Sequence, residues 1–370
     1  MSEIPPGSGP PIDGLDVSAY TVPTDAPEAD GTIAWDATTM VLVRARAGGV
    51  TGIGYTYSDV AAAALVRGKL AEVVVGADPL AVSAAWRAMW RSVRNLGRPG
   101  IAAGALSAVD NALWDLKARV VERPLVTVLD AARMEVPVYG SGGFTSYAVE
   151  RLRAQLAGWV EAGMGAVKMK VGTQPEADLA RVRAARAAIG PAPALFVDAN
   201  GAYQRKQALA FAEAFVELGE SWFEEPVPSD DLAGLRLLRD RAPAGMEIAA
   251  GECGYELEYF RRMLEAGAVD VLQADATRCG GITGFLRAGA MAEAFGVDLS
   301  AHTAPALHVH ACCAVPRLRN LEYFHDHARI EGMFFDGNPE PAGGVLRTDV
   351  TRPGNGLEPR ADVMARYQVA

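Results

Sequence analysis

The chain has 370 residues, half of them hydrophobic, and a formal net charge of −10 at pH 7. This length and apolar content allow a large buried core, with room for two domains. The negative charge argues against nucleic acid and anionic membranes as partners, because both repel an acidic surface.

Targeting and cysteine signals favour a cytoplasmic protein. Residues 1–14 are rich in Pro and Gly and contain no Lys or Arg, so they lack the features of a signal peptide. No stretch is long and apolar enough for a membrane span. The four cysteines include the adjacent Cys312 and Cys313 and show no CxxC spacing, which argues against a disulfide framework or a zinc site. We therefore expect a soluble protein of a reducing cytosol.

Residues 1–130 are predicted to form a small α+β domain. Residues 1–15 are expected to be loose, and strands are predicted at 17–23, 38–47 and 50–56. Residues 24–31 are rich in turn-forming residues and are predicted to be a flexible loop. Ala-rich segments with helical spacing at 60–75, 79–94 and 101–121 predict three helices.

Residues 131–325 show a different rhythm, in which short apolar strands alternate with amphipathic helices. Eight β units separated by helices predict a TIM-like barrel. Residues 326–370 show few periodic signals and are expected to return to the first domain. The eight predicted strands cover residues 136–141, 166–171, 194–200, 222–227, 247–252, 271–275, 298–302 and 321–324.

Two lysines, Lys168 and Lys170, end the second predicted barrel strand. Alternate residues of a strand point the same way, so both ammonium groups project from one face. Like charges on a buried face repel and are poorly solvated, and both effects lower a lysine pKa. We therefore expect this face to receive an anion, or one lysine to act as a base.

Every predicted barrel strand ends in polar or charged residues. The carboxyl ends of barrel strands meet at one mouth, where TIM-barrel active sites lie. One such residue can simply be a strand end meeting solvent, but a run through eight strands favours a functional site. These residues are Ser141, Lys168, Lys170, Asp198, Asn200, Glu224, Glu225, Glu252, Asp275, His302 and Glu322.

Three of these carboxylates, Asp198, Glu224 and Glu252, come from consecutive strands. They cannot all stay ionised side by side without a counter-charge, and oxygen-only ligands favour Mg²⁺. The alternative is three separate surface ion pairs. Asn200 shares the inward face of Asp198 and is expected to bond a substrate oxygen, whereas Glu225 is expected to point away from the mouth.

An acid and a histidine, Asp275 and His302, end adjacent strands. A carboxylate beside an imidazole fixes its tautomer and raises its pKa, which makes a better base. A buried structural pair is the alternative. Arg278 is a candidate partner behind this pair, and Cys253 is expected to be core. The other histidines, His308, His310, His325 and His327, are expected to serve packing or to lie at the surface.

The pattern resembles the mandelate racemase group of the enolase superfamily. Lys168-Met169-Lys170 resembles its K-x-K motif, and Asp198-Ala199-Asn200 resembles its D-x-N motif. Glu224 and Glu252 resemble its second and third metal ligands, in Phe-Glu-Glu-Pro and Ala-Gly-Glu contexts. The Asp275–His302 pair resembles the dyad that distinguishes this group. Glu322 resembles the acid that hydrogen-bonds the substrate carboxylate, and Ser141 is the loosest match, as a substrate-binding residue.

The resemblance implies a (β/α)7β barrel with an N-terminal α+β capping domain that the C-terminal segment completes. It also implies one Mg²⁺ per subunit and removal of the proton α to a carboxylate through an ene-diolate. Lys170 would be the base on one face of the substrate and His302, oriented by Asp275, the base on the other. Lys168 and a protonated Glu322 would stabilise the developing charge.

The expected reaction is dehydration of a sugar acid to a 2-keto-3-deoxy acid. The alternatives are racemisation or epimerisation of a 2-hydroxy acid and, more remotely, metal-dependent binding without catalysis. The expected partners are a small-molecule carboxylate and further copies of the chain in a homo-oligomer, with no nucleic acid and no membrane.

Specificity is expected in residues 24–31 and 54–59, with Tyr55 and Tyr57 among the substrate-binding residues. The charged residues of these two stretches are all acidic, so a second substrate carboxylate would lack a cation. We therefore expect a monocarboxylate substrate in preference to a diacid.

Overall fold

The N-terminal part is an antiparallel three-stranded sheet, in a computed structural model that describes residues 9–370. Its strands are β1 (Ile12–Ala29), β2 (Ala34–Ala47) and β3 (Val50–Tyr57). The prediction of a loop over 24–31 is wrong for residues 24–29, where β1 continues and resumes pairing at Glu28 after a register shift that follows Pro23, and it holds only for residues 30–31 in the hairpin connection. Of the stretch expected to be loose, residues 1–8 lie outside the described part, and β1 already begins at Ile12.

Helices cover this sheet. They are α1 (Ala61–Leu65), a π-helical turn (Val66–Leu70), α2 (Ala71–Val74), α3 (Val82–Ser92), a 3₁₀ turn (Arg94–Leu96), α4 (Ile101–Val120) and α5 (Leu125–Val128). Helix α4 lies directly on β3, where Gly54 permits the close approach. A Cβ atom at Gly54 would lie 2.1 Å from the backbone nitrogen of Ala112, so only glycine fits there.

Eight parallel strands close into the predicted barrel, since the last of them pairs with the first. The fold prediction is therefore confirmed. The strands are β4 (Glu135–Gly142), β5 (Ala166–Lys170), β6 (Ala194–Asp198), β7 (Glu220–Glu224), β8 (Glu247–Ala250), β9 (Val271–Ala274), β10 (Asp298–Ala301) and β11 (Leu318–Phe324). The surrounding helices are α6 (Val149–Glu161), α7 (Pro175–Ile189), α8 (Arg205–Val216), α9 (Leu232–Arg241), α10 (Leu257–Glu265), α11 (Gly281–Ala294) and α12 (Pro305–Cys313).

Aromatic side chains fill the barrel interior below the mouth. Phe196 and Trp222 stack with ring centroids 4.9 Å apart, and Tyr139 packs edge-on against Phe196. This apolar layer keeps water from the far end of the barrel. The indole nitrogen of Trp222 also donates a hydrogen bond of 3.0 Å to Glu224, so the layer supports the polar residues above it.

The C-terminal segment contacts both parts of the molecule. It contains α13 (His325–Phe334), β12 (Phe335–Asp336), β13 (Val345–Arg347), β14 (Glu358–Pro359) and α14 (Ala361–Met364). Strand β13 pairs antiparallel with β4 at the barrel. The last residues run along β1, where the Ala19 N–H donates to the Ala370 carbonyl at 2.7 Å. The segment thus completes the capping domain, as the resemblance implied.

The tip of the β1–β2 hairpin is docked on the barrel mouth. The hydroxyl of Thr173 donates to the Asp30 carbonyl at 2.5 Å, and the Thr145 N–H donates to the Ala29 carbonyl at 2.8 Å. Gly31 approaches so closely that a Cβ atom there would lie 2.3 Å from the Ala199 carbonyl. The tip of the hairpin therefore covers part of the barrel mouth. Among residues 9–370, no helix combines the length and apolar character needed to cross a bilayer.

Candidate active site

Both lysines of β5 are buried at the barrel mouth and lie among carboxylates. Lys168 Nζ is 2.9 Å from Glu322 Oε1 and also contacts Glu224. Lys170 Nζ contacts Asp198 and donates to Asn200 Oδ1 at 3.1 Å. The expected substrate contact of Asn200 therefore competes with this bond.

The expected lowering of the lysine pKa values is wrong in direction. Burial favours the neutral amine, as expected, but the charge of Glu224 on Lys168 and that of Asp198 on Lys170 outweigh it. The pKa of each lysine is therefore raised, that of Lys168 well above its ordinary value. Mutual repulsion of the lysines is the weaker effect because each ammonium is in direct contact with an acid.

The carboxylates of Asp198, Glu224 and Glu252 converge as predicted. They come from β6, β7 and the residues just after β8, and their ligand oxygens lie within 4.8 Å of one another. Burial and the nearby Asp198 raise the pKa of Glu224 to about 8. Glu252 Oε2 is buried and has no hydrogen-bond partner in the described part of the chain. Such a crowded set of oxygens can hold a metal ion.

His302 and Asp275 form the predicted pair at the ends of β10 and β9. His302 Nδ1 lies 2.8 Å from Asp275 Oδ2, and the Thr277 N–H fixes the other oxygen of Asp275 at 2.6 Å. His302 Nε2 lies 3.4 Å from Glu252 Oε2. Burial opposes protonation of the imidazole, but Glu252 and Glu322 raise the pKa of His302 to about 10.

Glu322 is held by three donors, which corrects the expectation that it is protonated. Ser141 Oγ donates to Oε1 at 2.5 Å, and the Thr303 N–H donates to Oε2 at 3.1 Å. Burial opposes ionisation, but Lys168 and His302 lower the pKa of Glu322 to about 2. Glu322 is therefore ionised in this arrangement. Ser141 is fully buried and contacts Glu322, so a direct substrate contact of Ser141 stays a prediction.

The two predicted tyrosines have different surroundings. Tyr55 is fully buried, and its hydroxyl donates to Glu331 Oε1 at 2.6 Å, so the structure contradicts a substrate-binding role for Tyr55. Tyr57 ends β3 and lines the cavity at the mouth, where its ring stacks on His327. The difference arises because β3 passes under α13 before it reaches the mouth.

A cavity of about 420 Å³ opens between the hairpin and the barrel mouth. Lys170, Glu252 and His302 line it from the barrel, and Trp35 lines it from β2. A second cavity of about 440 Å³ adjoins it, with Glu225 among its lining residues. Glu225 therefore does not simply point away from the mouth.

Arg278 and His327, for which the sequence predicts only supporting roles, also line this cavity. Arg278 Nη1 lies 3.4 Å from Glu252 Oε1, and Nε lies 3.6 Å from Asp275 Oδ2, so Arg278 contacts the acids as expected. The expectation that His327 serves packing is confirmed, since its ring is buried and stacks on Tyr57, but His327 also lines the cavity. The signal in the sequence is its position three residues after the end of the last barrel strand, which places it near the barrel mouth. Trp35 was missed because it lies outside the two stretches expected to set specificity.

The sequence matches two known families in succession. Residues 17–129 match the mandelate racemase/muconate lactonizing enzyme N-terminal domain, and residues 151–363 match the enolase C-terminal domain-like family. The chain belongs to the mandelate racemase/muconate lactonizing enzyme family. The resemblance drawn from its strand-end motifs is thus confirmed.

Similar proteins cover nearly the whole chain. The solved structure of a mandelate racemase/muconate lactonizing enzyme-like protein from Rubrobacter xylanophilus is 56% identical, with a TM-score of 0.96 over 97% of this chain and 100% of that chain. A racemase from Streptomyces coelicolor with bound magnesium is 31% identical, with a TM-score of 0.91 over 97% of this chain and 100% of that chain.

Named relatives act on sugar acids. The 3,6-anhydro-alpha-L-galactonate cycloisomerase of Streptomyces coelicolor is 36% identical over 280 residues, which are 74% of this chain and 77% of the relative. Further relatives are named as dehydratases of sugar acids. Other similar structures contain magnesium together with L-glucarate.

Proposed function

We propose that this chain is a Mg²⁺-dependent enzyme that removes the proton α to the carboxylate of a sugar acid, and that the overall reaction is dehydration. The observation that carries the proposal is the placement of Lys170 and His302. Both line one cavity, together with Glu252. Lys170 is the last residue of β5 and His302 directly follows β10; these strands are separated around the barrel by β4 and β11 on one side and by β6 to β9 on the other. The two bases can therefore approach a substrate from different sides.

The donor set fits a hard divalent cation. Asp198, Glu224 and Glu252 offer only oxygen ligands, and within residues 9–370 Glu252 Oε2 is buried without a hydrogen bond, 3.4 Å from His302 Nε2. Lys168, Lys170 and His302 already offset part of the negative charge, so the case for Mg²⁺ rests on the convergence of three oxygen-donating side chains. When bound, Mg²⁺ supplies positive charge to the substrate carboxylate while the α-proton leaves.

The remaining residues of the site carry out or support the proton transfers. Lys170 and His302 take and return protons at opposite faces of the α-carbon, and Asp275 holds the His302 ring through the bond to Nδ1. In dehydration, one of the two groups must first lose its own proton, because both pKa values are raised; it then removes the α-proton, and the partner that is still protonated delivers a proton to the departing β-hydroxyl. Lys168 keeps its charge beside the position of the substrate carboxylate, because Glu224 and Glu322 contact it.

Racemisation is the second candidate, and it uses the same two bases. One base removes the α-proton and the other returns a proton to the opposite face. The similarity to a structure named as a racemase favours this candidate. Dehydration is preferred because several relatives are named as sugar-acid dehydratases.

The cavity favours a monocarboxylate over a diacid. Asp30 and Asp59 line it from the capping domain, and neither stabilises a second carboxylate. Arg278 is a lining cation that the sequence argument did not place there. Its guanidinium lies near both Glu252 and Asp275, so little of its charge remains for a substrate.

A screen of sugar acids in D₂O with Mg²⁺ tests the proposal. We expect formation of a 2-keto acid from at least one aldonate, with kcat/KM values for aldonates above those for aldarates. Exchange of the α-hydrogen for deuterium without a keto product would favour the racemase. Absence of both exchange and product across the set, with Mg²⁺ shown to bind, would overturn the proposal.

A further inference from the structure

His327 lies in the first turn of α13 and faces the cavity that also contains Lys170 and His302. Its side chain is held on two sides. The ring stacks on Tyr57 with centroids 3.4 Å apart and planes within 9°, and Phe324 packs edge-on at 5.0 Å. Tyr57 belongs to the capping domain, so the imidazole is fixed between the cap and the barrel. This rigid placement suits a group that positions a ligand.

Within residues 9–370, the nitrogen atoms of this ring have no hydrogen-bond partner. His327 Nδ1 is buried without a hydrogen bond, and no described residue bonds either ring nitrogen. A buried polar atom left unpaired is unfavourable, so a hydrogen-bonding ligand group would stabilise it.

Two other buried histidines give the contrast. His308 Nε2 accepts the Ala276 N–H at 2.7 Å, and His308 Nδ1 lies 3.0 Å from the Ala304 carbonyl. His310 is likewise bonded at both nitrogens, to the Val126 N–H and the Asn355 carbonyl. These two rings are satisfied packing residues. His327 is also buried, but its ring nitrogens make no hydrogen bond within residues 9–370, and the residue lines the cavity.

The ring is also suited to a neutral ligand group. Burial lowers the pKa of His327 well below its ordinary value, so the imidazole is uncharged and offers one donor and one acceptor. A hydroxyl group needs one acceptor and offers lone pairs, which matches a neutral imidazole. A second carboxylate needs donors only, and it would find no charge here.

We propose that His327, held in place by Tyr57, binds a hydroxyl group of the substrate on the part remote from the reacting carboxylate. The substrate is then a polyhydroxylated monocarboxylic acid, in preference to an acid with an apolar tail. This inference rests on the proposed function, since it assumes that the substrate carboxylate lies near Lys168 and the three acids.

The test compares an aldonate that the enzyme turns over with deoxy analogues, each lacking one hydroxyl beyond the reacting carbons. The variant His327→Phe keeps a ring to stack on Tyr57 but removes both nitrogens, whereas His327→Gln keeps a donor and an acceptor. His325→Phe is the matched control, because it lies on the same helix and its ring bonds Asp25 outside the cavity.

We expect the wild type to prefer the full aldonate over one deoxy analogue by about tenfold or more in kcat/KM, the usual worth of a hydrogen bond in a closed site. His327→Phe should lose this preference, mainly through a higher KM, while His327→Gln and His325→Phe keep most of it. The binding of the same pair to Lys170→Ala, measured by calorimetry, should show the same discrimination without turnover.

Equal use of all analogues by the wild type would overturn the inference, and so would equal losses in the Phe and Gln variants. If His327→Phe does not fold, His327→Leu, which also removes both ring nitrogens, takes its place. Failure of the proposed function is distinguishable, because then the wild type would exchange no α-hydrogen of any sugar acid in D₂O.

Discussion

Tyr55 in β3 donates a hydrogen bond of 2.6 Å from its hydroxyl to Oε1 of Glu331 in α13. Both side chains are fully buried, and the other oxygen of Glu331 accepts the Ala306 N–H at 3.0 Å. The bond therefore joins the capping sheet to the start of α12 through the helix that follows the last barrel strand. The bond fixes the capping domain beside the barrel mouth. It thereby places Tyr57, two residues further along β3, at the cavity.

Tyr55→Phe should lower the free energy of unfolding by about 1–2 kcal/mol, because it leaves the buried Glu331 without one of its two partners. The KM for an active sugar acid should change little. Tyr57→Phe is the matched control, since its hydroxyl makes only a 3.4 Å contact with the His327 carbonyl. Denaturant unfolding of the two variants checks the difference, and a larger loss in Tyr57→Phe would contradict it.

The pH dependence of stability should report on Glu331. Burial raises the pKa of Glu331 from 4.5 to about 8, so the folded protein binds a proton that the unfolded chain has lost. The stabilisation by this group is complete below pH 4.5 and is lost as the pH rises towards 8, with a slope of about 1 kcal/mol per pH unit. In the Glu331→Gln variant, the free energy of unfolding should lose this part of its dependence on pH. An unchanged slope in that variant would show that Glu331 titrates normally.

Much of the site was predictable from sequence because the signals are local. In each barrel strand a short apolar run ends in a reactive side chain, and the barrel topology brings those ends together. These two facts alone predict that Asp198, Glu224 and Glu252 converge. They also predict the pairing of His302 with Asp275.

Features that depend on contacts between distant segments were not predictable from the sequence. Residues 24–29 have the composition of a loop, yet β1 runs through them: residues 24–27 bulge out of register, and Glu28 and Ala29 pair with β2 again. Tyr55 and Tyr57 share one face of a strand, and only the position of α13 separates their roles. The protonation state of Glu322 depends on Lys168 and His302 at 2.9 Å and 3.8 Å, which no local pattern reveals.

Metal binding should depend on the three converging carboxylates. Glu224→Gln should weaken Mg²⁺ binding at least about tenfold in calorimetry and abolish the rise in Tm that Mg²⁺ gives the wild type. Glu220→Gln is a control on the same strand, since Glu220 lies at the opposite end of β7. A chelator should stop turnover without unfolding the barrel. Equal Mg²⁺ affinity in both variants would contradict the assigned site.

The two bases should be separable by isotope exchange. Lys170→Ala and His302→Asn should each abolish full turnover, while one of them still exchanges the α-hydrogen of a single stereoisomer in D₂O. Asp275→Asn should cost less than His302→Asn, because it misorients the ring without removing the base. Wild-type turnover in either base variant would show that the base is misassigned.

Binding of a substrate carboxylate should change the protonation of Glu322. The pKa of this group is about 2 in the arrangement described here, so it is ionised at neutral pH. A second carboxylate placed beside it adds a negative charge, which raises the pKa of Glu322 and favours protonation. Ligand binding should therefore take up protons, and the affinity of a carboxylate ligand should fall as the pH rises.

Calorimetry of a non-reacting acid in buffers of different ionisation enthalpy measures this uptake directly. Glu322→Gln carries no titratable proton, so its binding should show less proton uptake than that of the wild type. Gln still offers a donor to the substrate carboxylate and should retain much of the activity, whereas Glu322→Ala should lose about 10²-fold or more in kcat. If uptake were the same in the wild type and Glu322→Gln, and if Gln were as inactive as Ala, then Glu322 would act as a permanent anion that holds the Lys168 ammonium in place.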